Sequence, residues 1–331
     1  MAGKVDIGAL QRYAAVYMEI HARSGHMQDV AKRLGITLRR AFSIRRTAEK
    51  NLGIHLPGFK GGEPHKYVPQ ETLDIEVQGS VVVASDLHHW PHHEPFAWFM
   101  LLEAVKLYKP VEVWLNGDIF DWPGLRFERR AWEDRPTAAE EMEAAQRRTA
   151  DLTKACDKIG AAKRLTMGNH DERFERYLSS KASEVEGMPG MTFPSQIAHW
   201  DQGWTVYHSL RVNGRTMVKH AWHGGVHSGY NNVLRSGVNI VTGHTHKLLA
   251  RHWSDYSGVR WAVETGFIGE IQGPQFRYGD GNPADWVPGF AVLHFDGDAL
   301  ANELIDCSGD RAWMLGKWHH RSDYPCSRQS S

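Results

Sequence analysis

Five segments of the chain set carboxylates, an amide and imidazoles beside one another at the ends of apolar runs: Asp86-Leu87-His88, Asn116-Gly117-Asp118-Ile119-Phe120-Asp121, Gly168-Asn169-His170-Asp171-Glu172, the loop from His220 to His227, and Gly243-His244-Thr245-His246. Carboxylate oxygen, amide oxygen and neutral imidazole together suit borderline divalent ions such as Mn, Fe, Zn, Co or Ni, and do not suit a pure Ca site. An imidazole can also give or take a proton near neutral pH. In Asp86-x-His88 and His244-x-His246 one residue separates two donors, so on an extended strand end both side chains would point the same way and serve one ion. A carboxylate has two oxygens, and Asp118 is the natural bridge between two ions. Taken singly, Asp86 reads as a helix cap, Asp118 as a turn residue, and His244 or His246 as a surface histidine. Jointly they need a common explanation, because each lies at the end of a strand.

The elements that carry them alternate. Ser80–Ser85 is a wholly apolar strand of the kind found in a buried sheet, and Val111–Leu115, 163–167 and Val238–Thr242 are further strands. Pro95–Tyr108 and Thr137–Ile159 are helices between them, followed by helices at Glu172–Ser180 and Ser228–Ser236. Asn213-Gly214 joins a strand Trp204–Val212 to a strand Arg215–His220 as a hairpin. From Leu248 onward strands dominate. In open α/β sheets ligands gather at the carboxyl ends of strands, so all these donors can converge on one crevice.

Residues 1–70 carry twelve Lys/Arg and five acids, a net +7, and the neutral total leaves −7 for the rest. A basic head on an acidic body points to a polyanion partner. Helical spacing runs from Ile7 to about Arg23, over Met27–Leu34 and over Leu38–Leu52, with Thr37 as the cap of the last. The run Asp29 to Thr37 resembles the helix-turn-helix domains of regulators and phage proteins, and the basic helix then brings Arg39, Arg40, Arg45 and Arg46 toward nucleic acid. Leu56–Gln78, rich in Pro, Gly and His, reads as a linker. The expected organisation is a helical head at 1–60, a linker at 61–79, a body at 80–310 and a C-terminal tail at 311–331. Cys156, Cys307 and Cys326 are far apart and form no CxxC, which disfavours a disulfide scaffold or a zinc ribbon. No membrane-length apolar run and no signal-like segment is seen, so a cytoplasmic protein is expected. A Gly-x-Ser-x-Gly elbow and a P-loop are both missing.

As an ordered set, Asp86-x-His88, Gly117-Asp118-x-x-Asp121, Gly168-Asn169-His170-Asp171-Glu172, His220 and Gly243-His244-x-His246 resemble the motifs of the calcineurin-like metallophosphoesterases over about residues 80–300. The resemblance implies a four-layer α/β/β/α sandwich of two mixed sheets, here with a small all-α N-terminal region. It implies two divalent transition-metal ions, Mn foremost and Fe, Zn, Ni or Co as alternatives. Asp86, His88, Asp118 and His246 would hold one ion, and Asp118, Asn169, His220 and His244 the other. The literal His-Gly pair of the fourth motif is His223-Gly224, which leaves His223 as the alternative to His220; the strand's end favours His220. His170 would assist the leaving group and Asp171 would orient it. The expected reaction is hydrolysis of a phosphomonoester or phosphodiester by hydroxide formed at the metals, without a membrane partner. With the basic head the first substrate is nucleic acid. A small-molecule phosphatase is the alternative, and a DNA-binding protein with a vestigial metal site is a third reading.

Overall fold

The computed structural model describes residues 6–23, 27–54, 56, 72–125, 135–185, 187–279 and 285–326. The chain divides into two compact units, Met1–Pro69 and Gln70–Ser331.

The first unit is three helices, α1 (Ile7–Ala22), α2 (Met27–Arg33) and α3 (Leu38–Leu52). Asp6 caps α1 by accepting from the Ala9 N–H (3.0 Å), and Thr37 caps α3 by accepting from the Arg40 N–H (3.2 Å). Between α2 and α3 the backbone turns at Gly35, whose φ of +64° suits a residue without a Cβ. Leu10, Tyr13, Tyr17, Val30, Ala31, Ala41 and Ala48 are buried together, and the Tyr13 hydroxyl donates to the Ala41 carbonyl at 2.7 Å.

The second unit begins with β1 (Thr72–Ile75) and β2 (Gly79–Ala84), followed by α4 (Phe96–Tyr108), β3 (Glu112–Asn116), α5 (Ala138–Ile159), β4 (Ala162–Thr166), α6 (Arg173–Lys181) and α7 (Phe193–His199). Then come β5 (Thr205–Tyr207), β6 (Ser209–Val212), β7 (Thr216–Lys219), α8 (Ser228–Ser236), β8 (Asn239–Thr242), β9 (Leu248–Asp255), β10 (Gly258–Thr265), β11 (Gly289–Asp296), β12 (Ala299–Asp306), β13 (Arg311–Met314) and β14 (Lys317–His320). Two six-stranded mixed sheets run β1-β6-β7-β8-β10-β9 and β12-β11-β2-β3-β4-β5. Val81 and Val83 of β2 meet Val212, Val218, Val241 and Val263 of the other sheet. Val82 and Ala84 point the opposite way, into the core under α4 and α5. Burial on both faces is why β2 reads as an unbroken apolar run. Val233 of α8 packs on Ile240 and Ala262 on the outer face of the first sheet, which completes the α/β/β/α layering. Among the described residues no helix is long and apolar enough to cross a membrane.

Three expectations are corrected. The stretch read as linker contains β1, which pairs in parallel with β6 from Thr72↔Ser209 to Ile75↔Val212. Its alternation of Leu73 and Ile75 with Asp74 is a strand's period of two. The single strand expected over 204–212 is two, since β5 pairs with β4 in one sheet and β6 with β7 in the other. The tail after 310 includes the hairpin β13–β14, whose Ala312 and Met314 enter the main core.

Candidate metal centre

The donors leave the carboxyl ends of β2, β3, β4, β7 and β8, three strands of one sheet and two of the other. The chain does not stay extended there. Asp86, His88, Asp118, His244 and His246 have positive φ (53°, 38°, 54°, 68° and 59°), so the expected extended geometry at Asp-x-His and His-x-His is corrected to left-handed turns. Such conformations each cost roughly 1–3 kcal/mol at non-glycine residues and persist only where the surroundings over-determine them. Here the backbone is tied: the Asp86 N–H donates to Gly117 O (3.0 Å), His88 N–H to Asp118 O (3.1 Å) and Gly243 N–H to His220 O (2.9 Å). Two glycines let the segments close up. A Cβ on Gly168 would lie 2.1 Å from Asp118 Oδ1, and one on Gly243 would lie 2.4 Å from Ser85 Oγ and 2.7 Å from Asp86 Oδ2.

The side chains converge. Asp86 Oδ1 is 3.2 Å from His246 Nε2, 3.8 Å from His88 Nε2 and 3.9 Å from His220 Nε2. Asp118 Oδ2 is 3.1 Å from His220 Nε2 and 4.0 Å from His88 Nε2. Metal–ligand bonds of ~2.1 Å place neighbouring ligand atoms about 3–3.5 Å apart, so the Asp86–His246 and Asp118–His220 spacings suit coordination and the other three are somewhat wider. Asp86, His88 and His246 form one metal-compatible group, and Asp118, His220 and His244 another. Asn169 Oδ1, Asp86 Oδ1, Asp118 Oδ2, His88 Nε2 and His220 Nε2 are buried with no hydrogen-bond partner among the described residues. The other atom of each of three of these side chains is committed: Asp118 Oδ1 accepts from the His170 N–H (2.8 Å), Asp86 Oδ2 from the His244 N–H (2.8 Å), and His220 Nδ1–H donates to Asn116 O (2.7 Å). That last bond leaves a lone pair on neutral His220 Nε2, facing a carboxylate oxygen. Two buried lone pairs 3.1 Å apart need a cation between them, either a proton or a metal.

The electrostatics say the same. Burial alone would lower the pKa of His220, but the Asp118 and Asp86 carboxylates overcome it and push it up to about 10. Burial would raise Asp86, yet the facing His220 and His246 hold it well below the usual carboxylate range. The pocket therefore favours positive charge, and the donor set suits divalent cations.

His170 lies beside this group, its Nε2 3.9 Å from Asp118 Oδ2. Its Nδ1 is 2.8 Å from Asp121 Oδ1. Burial lowers its pKa to about 4, against the pull of Asp118 and Asp121, so the ring is neutral at neutral pH. The expectation that Asp171 orients His170 is corrected: Asp121 does so. Asp171 is buried and turned into the backbone, where it accepts from the N–H groups of Asp118 and Gly168 (both 2.9 Å), Ile119 (2.9 Å) and Phe120 (3.2 Å). It pins the turn after β4 to the turn after β3. Asp121 has no role expected from sequence; its signal there is a second carboxylate three residues beyond Asp118. Two further buried carboxylates brace the loops. Glu141 of α5 accepts from the Asp121 N–H (2.5 Å) and Trp122 N–H (3.0 Å), and Glu264 of β10 from Thr245 Oγ1 (2.8 Å) and Ser228 Oγ (3.0 Å).

His223 is not brought to the cluster. Its ring stacks on Trp222 (4.9 Å), its N–H donates to Asn232 Oδ1, and it belongs to none of the metal-compatible groups among the described residues. In the head, Arg40 is exposed, while the side chains of Arg39 and Arg46 lie outside the described residues. Arg45 departs from its expected role as an outward nucleic-acid contact. It donates to Leu56 O (2.6 Å), lies 3.5 Å from Glu49 and covers the Tyr17 ring at 5.5 Å, because the helix turns it toward the head's own core.

Comparison with known proteins places this geometry. The family model described as Calcineurin-like phosphoesterase matches residues 79–248, just over half of the 331 residues. The chain is 29% identical over 230 residues to the Gene 54 protein of Mycobacterium phage D29, an alignment covering 61% of this chain and 84% of that protein. It is also 29% identical over 169 residues to the Gene 54 protein of Mycobacterium phage L5, covering 45% of this chain and 63% of that protein, less than two thirds of its length. Among solved structures it is similar to wild-type Vps29 from Entamoeba histolytica complexed with zinc (14% identity, 72% of this chain and 96% of that one, TM-score 0.36). A second is Yfce, a phosphoesterase from E. coli (13% identity, 68% and 98%, TM-score 0.31).

Proposed function

Because the chain belongs to the calcineurin-like phosphoesterase family, we propose that it is a dinuclear metal-dependent hydrolase acting on phosphoester bonds of nucleic acid. The observation that carries the metal-dependent part is the set of buried, unpartnered donor atoms on Asp86, His88, Asp118, Asn169 and His220, the first three of them in left-handed turns. In this reading Asp86, His88, Asp118 and His246 would hold one ion, and Asp118, Asn169, His220 and His244 would hold the other. Manganese is the first candidate, and Fe, Zn, Ni and Co suit the same donors. Divalent cations bound there supply positive charge to the phosphoryl oxygens and lower the pKa of water.

The chain's own groups do the rest. Asp118 would be the shared ligand, since one oxygen is fixed by the His170 N–H and the other faces the donors. Asn116 O fixes the His220 tautomer that offers Nε2. Asp121 takes the His170 Nδ1–H and thereby leaves the Nε2 lone pair to face the reaction centre, where it would take up a proton from water and pass it to the leaving oxygen. Asp171, Glu141 and Glu264 hold the loops that carry these residues.

The nucleic-acid substrate is supported by the +7 charge of residues 1–70 and by the layout of α2, the Gly35 turn and basic α3. The inward turn of Arg45 favours the second reading, a small-molecule phosphoesterase whose head serves another purpose. The test is removal of residues 1–69. Hydrolysis of a small chromogenic ester should be unchanged, because every proposed ligand lies beyond residue 85. KM for long DNA or RNA should rise at least about tenfold, and the intact protein's affinity should fall with a log–log salt slope of about −0.9 per duplex phosphate contacted. Unchanged KM on long nucleic acid at moderate salt would favour the small-molecule reading.

A further inference from the structure

Arg173 opens α6 directly after the turn that carries Asn169 and His170. Its Nη1 donates to the Asp121 carbonyl (2.5 Å) and to Asp121 Oδ1 (3.1 Å), and its Nη2 lies 2.7 Å from His170 Nε2. A guanidinium has only donors, so His170 Nε2 is the acceptor of that bond and Nδ1–H is the donor to Asp121. Arg173 therefore spans the two residues assigned to the leaving group. It also occupies the ring nitrogen that would face that group. While this bond stands, Nε2 cannot take up a proton to hand to a departing oxygen. The guanidinium has five N–H donors and these contacts use three of them, which leaves Nε–H and one Nη2–H. The side chain is 25% exposed, so the fork is held from behind by Asp121 and is reachable from solvent. His170 Nε2 is itself 3.9 Å from Asp118 Oδ2, so the fork lies at the edge of the donor cluster. A planar cation with paired donors matches two non-bridging phosphoryl oxygens.

We propose that Arg173 is a further catalytic residue of this site: it caps His170 Nε2 when substrate is absent, and binds the non-bridging oxygens of the phosphoryl group when substrate enters, which frees the Nε2 lone pair to take up the proton shed by the attacking water and pass it to the leaving oxygen. The proposal rests on the reading of the site as a phosphoester hydrolase. It makes Arg173 a sensor of phosphoryl occupancy as well as a ligand for it.

The test uses the full-length, manganese-loaded protein with Arg173→Ala, Arg173→Gln and Arg173→Lys. Kinetics on p-nitrophenyl phosphate and bis(p-nitrophenyl) phosphate are read beside metal content, Tm and calorimetric binding of inorganic phosphate. Arg173→Ala should keep wild-type metal content and lose about 10–100-fold in kcat/KM, the value of one hydrogen bond to a charged group. Phosphate should bind about tenfold or more weakly, by the same reasoning. Guanidinium ion added to the buffer should restore part of the Arg173→Ala rate and none of the Arg173→Lys rate, whose ammonium fills the place without a fork. If Arg173→Ala does not fold, Arg173→Gln carries the same comparison. Wild-type phosphate affinity and kcat/KM in Arg173→Ala or Arg173→Gln, with a wild-type protein that hydrolyses either ester, would overturn the role of Arg173 alone. A metal-loaded wild-type protein that hydrolyses neither ester and binds no phosphate would overturn the phosphoester reading, and this proposal with it.

Discussion

Replacing Asp118 by Asn is expected to leave the fold intact and to lower phosphoester hydrolysis at least about a thousandfold, at the upper end of what removal of one transition-state donor costs, because both ions share this ligand. The amide oxygen can still accept the His170 N–H that Asp118 Oδ1 accepts at 2.8 Å. The new NH₂ group would stand where Asp118 Oδ2 now faces His220 Nε2 at 3.1 Å, and it would donate to that lone pair. The substitution thus fills with a hydrogen bond the gap that in the native chain calls for a cation. Metal-stripped Asp118→Asn should consequently stay close in stability to metal-stripped wild type, because the amide N–H donates to neutral His220 Nε2 where, in wild type, protonated His220 donates to the carboxylate. Elemental analysis should find neither ion at more than trace level. Full metal content in this variant would end the bridging assignment, and a large loss of Tm would mean that the effect on activity was structural.

The next largest effect concerns the fourth motif. His220→Ala should weaken the second ion by about a hundredfold or more, since loss of a ligand itself should exceed the 10–100-fold typical of losing an outer-shell partner. His223→Ala removes a ring that stacks on Trp222, and nothing in the cluster depends on it. Its metal content should match wild type and its rate should stay within about threefold, as for a substitution away from the site's structural features. The opposite ordering would assign the ligand to the literal His-Gly pair.

The donors of this site could be read from the chain because strand ends and glycines announce themselves locally. The apolar run of β2, the Asn213-Gly214 hairpin and the His-x-His after β8 are all features of a few consecutive residues. Relations between distant segments could not be read in this way. Asp171 follows His170 directly, which makes it the natural partner by sequence, yet its side chain turns to the backbone of residues fifty positions away, and Asp121 reaches His170 across two strands. The positive φ values at Asp86, His88, Asp118, His244 and His246 contradict local preference, as expected where function over-determines the backbone. Glu141 and Glu264, two carboxylates on the core side of a helix and a strand, looked like ordinary charges and serve as braces. The split of the strand at His208 between two sheets leaves no trace in a pattern that stays extended on either side. Arg45 shows the same limit in the head, since helical spacing tells which face a residue is on but not that Leu56 O and Glu49 wait there.

The central claim is that these residues form a site for two divalent ions. Its most direct test is calorimetric titration of metal-stripped protein with Mn²⁺ in buffers of different ionisation enthalpy, at several pH values. His220 has a pKa of about 10 without metal, so it is protonated at neutral pH and its proton must leave when an ion binds. Two ions should bind per chain, with proton release on binding and an affinity that falls about tenfold per pH unit for each proton displaced as the pH is lowered below that value. Binding of one ion or none would contradict the two-ion site, and binding of two with no proton released at neutral pH would contradict the proton placed on His220.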